Sequence, residues 1–248
     1  MFIRTLMAVA LVAVSSMGSS GSWYAAGHIP GKHALASQNW SGYATNHTKN
    51  GRFDSVSASW TEPDMAVPCN PANGPSLAAF WAGLDGFSTN SVEQVGTAIE
   101  CVPSPVGFVV KHTGFLELFP APPAFLGPAF PLQAGDRIHA SVTFAGGVFT
   151  FTLHNDRTGQ TFAASAAGSG FRGSAEVITE APLLGPTGPV APLLDFGRVT
   201  FDDVTVNGRP IRSFSPAAIV MESADGSTVK AMPSPLHGAD FSVTWNHM

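Results

Sequence analysis

Charge is what this sequence has least of. Only 12% of its 248 residues are Asp, Glu, Lys or Arg, about half the share usual in a soluble domain. Its 12 basic and 17 acidic side chains give a net charge of −5, so no basic face offers itself to nucleic acid or to an anionic membrane. Two cysteines, Cys69 and Cys101, are too few for a cysteine-rich scaffold or a thiolate zinc centre. The eight histidines are scattered, and the closest C-terminal pair, His237 and His247, lacks ligand spacing, so neither a metal nor a cofactor is expected. Also missing are a G-x-S-x-G elbow, an H-E-x-x-H helix, a glycine-rich phosphate loop and any Asp-Thr-Gly or Asp-Ser-Gly. Their absence removes the common serine, zinc, nucleotide and paired-aspartate chemistries.

The conspicuous apolar run, "LMAVALVAV" from Leu6 to Val14, is too short to span a bilayer. It follows Arg4 and precedes the small residues "SSMGSSGS", the layout of a secretory signal peptide. Residues 1–22 are therefore expected to be removed on export, giving a secreted product with no membrane contact afterwards. In an exported chain Cys69 and Cys101 suit one disulfide. Asn39-Trp-Ser41 and Asn46-His-Thr48 match the glycosylation sequon. Sparse charge has a further consequence, because acid unfolds proteins mainly by protonating paired carboxylates and by charge self-repulsion.

No stretch has helical periodicity. From Asn39 onward short alternating segments are separated by Gly, Pro and Asn, as in a chain of strands and turns. In "GVFTFTLHN" the residues Phe149, Phe151 and Leu153 share one face and Thr150, Thr152 and His154 the other. Ala145-Gly146-Gly147 joins that strand to "DRIHASVTF", and Asn207-Gly208 marks a second hairpin. The expected fold is all-β, a sandwich of two antiparallel sheets. The proline-rich stretches "PSPVG", "PAPPAFLGPAFP" and "APLLGPTGPVAP" read as stiff surface loops. Residues 23–37 read as a disordered leader or short pro-segment, and 38–248 as one domain, expected to be monomeric.

With other chemistries removed, carboxylates remain. Glu117 in "GFLELFP" and Glu176 in "SAEVITEAP" interrupt apolar strands. Alternation sets Phe115, Glu117 and Phe119 opposite Leu116 and Leu118, and Glu176, Ile178 and Glu180 opposite Ala175, Val177 and Thr179. An acid framed by aromatics describes a groove wall; a solvated outer face is the plainer alternative. In "SVEQVGTAIEC" the same alternation parts Glu93 from Gln94, so the two cannot look into one groove.

In order, "SQNWSGYA", "VSASWTEP", "FWAGLDGF", "SVEQVGT", "GFLELFP", "AGDRIHASV", "SAEVITEAP" and "LLDFGRVTF" resemble segments of the peptidase G1 family, the glutamic peptidases also termed eqolisins or the A4 family. The resemblance runs from about Ser37 to Phe201. It implies a lectin-like β-sandwich with one sheet bent into a substrate groove, and endopeptidase activity on proteins or peptides at acidic pH that resists pepstatin. It implies a catalytic pair of Gln94 and, matching the first glutamate of its segment, Glu176. It assigns substrate contacts to Trp81, Asp85, Phe115 and Glu117. Glu176 would activate water, and the Gln94 amide would stabilise the oxyanion; Gly96 would leave space beside that amide for a peptide backbone. Two departures are visible: Val177 stands where the family has Trp, and "FLELFP" carries fewer aromatics than the family pattern. Competing expectations are a lectin-like glycan- or peptide-binding module, a family member with little activity, and a glycosidase using Glu117 and Glu176 across the groove.

Overall fold

The computed structural model describes residues 23–46, 52–70 and 74–247. The expected signal peptide, residues 1–22, lies outside these, as do His47 and Thr48 of the second sequon. Among the described residues there is no α-helix, only 3₁₀ turns at Gly127–Ala129 and Ile211–Phe214. The strands are β1 (Ala36–Ser37), β2 (Trp40–Thr45), β3 (Ser55–Thr61), β4 (Ser76–Leu84), β5 (Val92–Ser104), β6 (Gly107–Phe119), β7 (Ala124–Phe125) and β8 (Arg137–Ala145). They continue as β9 (Val148–Asn155), β10 (Gln160–Ala167), β11 (Ala175–Glu180), β12 (Arg198–Val206), β13 (Arg209–Pro210), β14 (Ala217–Glu222), β15 (Val229–Pro233) and β16 (Phe241–Trp245).

Hydrogen bonding runs without a break in the order β10-β9-β8-β3-β12-β16-β15-β14-β2-β11-β4-β5-β6-β7. All pairs on this path are antiparallel. The path folds over near β14, which pairs with β15 on one side and β2 on the other. The half from β2 to β7 then packs face to face on the half from β10 to β16, as the expected sandwich requires. One continuous core fills the space between, including Trp60, Phe80, Phe151, Val177, Phe201 and Phe241. Within it Trp60 meets Phe201 edge-on at 5.7 Å and Phe80 meets Phe196 at 5.5 Å, the geometry the aromatic quadrupole prefers.

The alternation read in β9 is present: Phe149, Phe151 and Leu153 are buried and their neighbours are less so. Gly146 and Gly147, at φ of 60° and 81°, close the β8–β9 hairpin. Asn207 and Gly208, at φ of 48° and 70°, close β12 onto β13, the pair of positive φ values a tight hairpin requires. β4, "SLAAFWAGL", is different because all nine residues are buried. One face rests on the other sheet and the opposite face is covered, so it lacks the polar alternation of a half-exposed strand.

Of the proline-rich stretches expected as surface loops, "PSPVG" is one, with Val106 89% exposed, and the other two also pack against the rest of the chain. "PSPVG" closes the long β5–β6 hairpin, since Ser104 pairs with Gly107. "PAPPAFLGPAFP" contains β7, which adds Phe125 beside Phe115 at the sheet edge. "APLLGPTGPVAP" folds on itself through Leu183 and Val190 and reaches Tyr24. Asn39 of the first sequon is fully buried, so it is not an accessible acceptor for a glycan.

Cys69 and Cys101 form a disulfide with a sequence separation of 32, tying the approach to β4 to the end of β5. A cross-link closing a loop of that size is worth about 3 to 4 kcal/mol in the chain-entropy account. A double Cys69→Ala, Cys101→Ala variant should therefore lose about that much stability in chemical denaturation. A loss within experimental error of zero would show that the loop is held by other contacts.

Candidate active site

Strand register builds the site. Across β2, β11, β4, β5 and β6 one lateral row reads Ala44, Glu176, Gly83, Gln94, Glu117. The next row reads Gly42, Ile178, Trp81, Gly96, Phe115, with Phe125 of β7 at its end. A third reads Trp40, Glu180, Ala79, Ala98, Thr113. These side chains share the sheet face turned away from the sandwich core, and they line a groove.

The groove is occupied by the chain's own residues 23–28. The segment expected as a disordered leader or short pro-segment is packed here: Trp23, Ala25 and Ala26 are 2%, 0% and 3% exposed. Trp23 stands edge-on to Phe115 at 5.0 Å and to Phe125 at 4.9 Å. Tyr24 exchanges both backbone hydrogen bonds with Leu183, at 3.0 and 2.8 Å. The Ala25 N–H donates to Glu117 Oε2 at 2.9 Å, and the Gln94 Nε2 amide donates to the Ala25 carbonyl oxygen at 2.8 Å. The Ala26 N–H donates to Glu180 Oε1 at 2.8 Å, and the Trp40 indole N–H donates to the Ala26 carbonyl at 2.9 Å. One peptide unit, Ala25–Ala26, is thus gripped at its oxygen by an amide and at its nitrogen by a carboxyl.

Glu180 is held in turn by the Trp81 indole N–H at 2.8 Å and the Asn39 amide at 3.3 Å. Burial dominates those donors and pushes its pKa up to about 8. Part of that burial is the segment itself, since Ala26 sits on the carboxyl. Glu117 is pushed to about 9, first by burial and then by the charge of Glu180. The two groove acids are coupled, so that ionising one makes it harder to ionise the other. One oxygen each of Gln94 and Glu117, both buried, has no hydrogen-bond partner among the described residues.

Of the residues expected in the site, Gln94, Trp81, Phe115 and Glu117 meet at this segment. Asp85 lies elsewhere: its carboxylate accepts the Arg172 and Gly173 amides at 2.7 Å each. Glu176, expected as the base, is fully buried, and no hydrogen bond links it to residues 23–28. Burial first, then the nearby Asp85 and Glu93, raises its pKa well above the usual value against the opposing influence of the Ser174 hydroxyl and the Phe87 backbone, so the buried acid stays neutral. Glu180, four residues later on the same strand face, makes the contact instead. Asn39, Trp40 and Leu183 also escape a reading of the sequence: the first two lie in "SQNWSGYA" and the third in a loop whose pairing no local pattern announces.

Glu93 faces away from Gln94, as alternation requires. Burial first, then the charge of Asp85 and a hydrogen bond to it, lifts Glu93 to about 8, so it is a protonated partner of Asp85 behind the groove. Gly96 does not leave space for a peptide backbone: a Cβ there would lie 2.1 Å from Phe80 O and 2.6 Å from Trp81 Cβ, so glycine lets β4 lie close against β5. A cavity of about 250 Å³ beside the disulfide, reached by Met65, Val67 and Trp245, is separate from the groove. Among the described residues no group of three or more His, Cys, Asp or Glu could hold a metal ion, and no helix is long and apolar enough to cross a membrane.

Fold and site together define a β-sandwich whose covered sheet face holds an extended segment of its own chain along the backbone. The match of a family model, the peptidase A4 family, over residues 38–245 makes the identity specific: the chain belongs to that family. Two solved structures share its fold. Scytalido-glutamic peptidase, crystallised with a transition state analog inhibitor, is 22% identical with a TM-score of 0.66, covering 84% of this chain and 98% of that one. Aspergilloglutamic peptidase from Aspergillus niger is 24% identical with a TM-score of 0.55, covering 69% of this chain and 99% of that one. No curated protein sequence matches the chain.

The buried acids make stability depend on pH in a definite direction. Glu93, Glu117 and Glu180 titrate near 8 to 9 in the folded chain against about 4.3 when unfolded. The unfolded chain therefore binds fewer protons between these limits, and stability present below about 4.3 is lost as pH rises toward 9. His28, lowered by burial, acts in the opposite sense below about 6.5. The melting temperature should fall steadily from pH 6 to 9, and Glu93→Gln should flatten that slope. A melting temperature that is constant or rises over this range would contradict the assignment of neutral buried acids.

Proposed function

We propose that this protein is a secreted glutamic endopeptidase that hydrolyses peptide bonds in acidic medium, with Gln94 and Glu180 as its catalytic pair. The observation that carries this reading is the Ala25–Ala26 peptide, whose oxygen meets the Gln94 amide and whose nitrogen meets the Glu180 carboxyl, both at 2.8 Å. The disulfide suits an oxidising compartment outside the cytosol. Membership of a peptidase family supplies the reaction class, and the groove supplies the geometry.

In this mechanism a water molecule attacks the carbonyl carbon while the Glu180 carboxylate takes its proton. The carbonyl oxygen becomes an oxyanion and draws the Gln94 Nε2–H donor closer; that donor is uncharged at every working pH. The tetrahedral carbon then expels the amine nitrogen, which receives the proton from Glu180, and the carboxylate is restored. Glu180 already receives a hydrogen bond from this nitrogen, so the proton has a short path. Trp81 and Asn39 fix the carboxyl from behind. Glu117 takes the N–H before the scissile carbonyl, and the charge of an ionised Glu180 favours its neutral form. When the segment leaves and water enters, the burial that raises Glu180 is relieved, and its pKa moves back toward the acidic range.

Glu176 is the competing base. It shares a lateral row with Gln94 across Gly83, but no hydrogen bond ties it to the peptide. The two carboxylates are separable by mutation. With denatured casein as substrate at pH 3 to 5, Glu180→Gln and Gln94→Ala should each lower kcat by about a hundredfold or more, with pepstatin leaving the parent unaffected. Glu176→Gln should retain most of the activity. Loss of activity on Glu176→Gln with retention on Glu180→Gln would return the role to Glu176, and an inactive parent would exclude peptidase function.

A further inference from the structure

We propose that the Ala25–Ala26 bond is this chain's own cleavage site, and that the residues around it state the groove's preference: an aromatic ring three residues before the cut, another three residues after it, and small side chains on either side of the bond. This rests on the peptidase reading above and adds to it the substrate class.

Backbone contacts hold the segment in the manner of a bound strand. Besides the bonds of Tyr24, Ala25 and Ala26 already described, the Asn39 amide donates to the Gly27 carbonyl at 3.1 Å, and the His28 N–H donates to the Gly86 carbonyl at 3.2 Å. Such contacts fix direction and register without reading sequence. Within this register the Ala25–Ala26 unit has an uncharged side-chain amide on its oxygen and a carboxyl on its nitrogen. At the Tyr24–Ala25 bond the oxygen is taken up in a reciprocal backbone pairing with Leu183. At the Ala26–Gly27 bond the oxygen faces the Trp40 indole.

Side chains then read identity. Trp23 fills a slot between Phe115 and Phe125, and an indole buried this fully is a major apolar contribution. On the other side of the bond the His28 ring lies 5.7 Å from Trp40 and 5.2 Å from Phe87, a second aromatic slot. Ala25 and Ala26 are buried in the groove between them, so a larger side chain there must displace packed neighbours. Gly27 is not so restricted: a Cβ would find Gly86 O at 3.7 Å, an ordinary contact. Hydrolysis consumes one water, breaks the bond from the Ala25 carbonyl carbon to the Ala26 nitrogen, and leaves a carboxylic acid on Ala25 and an amine on Ala26.

The test uses the purified full chain at pH 3 to 5, followed by mass measurement and N-terminal sequencing, with casein digestion measured alongside. The expected result is a new N-terminus at Ala26, formed at a rate independent of protein concentration and not formed by Glu180→Gln. The blocked peptide Trp-Tyr-Ala-Ala-Gly-His should then be cut between its alanines. Replacing its Trp by Ala, or its first Ala by Trp, should lower kcat/KM by about tenfold or more. Casein digestion with the N-terminus unmoved, or with a cut at Tyr24–Ala25 or elsewhere, would overturn this inference and leave the peptidase reading standing. Equal cleavage of the peptide variants would overturn the stated preference. Failure to digest casein would remove both.

Discussion

A single peptide unit suspended between the Gln94 amide and the Glu180 carboxyl is the contact around which the groove is arranged. The register of four neighbouring strands places Gln94 beside Glu117, Trp81 one row away and Glu180 two rows away. The peptide crosses these rows and meets them in turn. Trp81 supports Glu180 from beneath, and Gly96 allows β4 to lie close against β5. The covered face explains why β4 is apolar from Leu77 to Leu84, and why carboxyls on a nominally outer sheet face are buried.

Burial without full pairing sets the electrostatic character of the fold. Glu93, Glu117, Glu176 and Glu180 all have pKa values raised mainly by desolvation. In neutral solution such groups oppose folding, because the unfolded chain can ionise them freely; in acid the opposition disappears. Few other charges remain to repel one another when carboxylates are protonated. Low charge content and raised acid pKa values therefore act in the same direction, each lessening the stability lost as pH falls. The two groove acids are also coupled: the charge of Glu180 adds to burial in raising Glu117, so ionising one favours the neutral form of the other.

Much of the fold was legible in the sequence because period-two alternation and turn chemistry are local. The β9 alternation and both glycine-bearing hairpins are of this kind. The split between Glu93 and Gln94 was legible for the same reason. Which of Glu176 and Glu180 meets residues 23–28 was not, because both lie on one strand face and only the position of the crossing peptide separates them. That peptide was itself illegible as structure: "WYAAGH" has no strand alternation or turn signal, and its conformation is fixed by side chains and strands outside it, from Asn39 and Trp40 to the distant Gln94, Glu117, Glu180 and Leu183. The proline-rich loops were legible only as connections. Proline marks a stiff connection but does not say what that connection will touch: Phe125 pairs beside Phe115, and Leu183 pairs with Tyr24.

The most direct test of the central contact is a crystal structure of the full chain with Glu180→Gln, grown at acidic pH. The account predicts unbroken main chain from Trp23 through His28 in the groove, with the Gln94 amide on the Ala25 carbonyl oxygen and residue 180 beside the Ala26 nitrogen. A groove without residues 23–28, or Gln94 directed at a different carbonyl while Glu176 approaches the peptide, would contradict it.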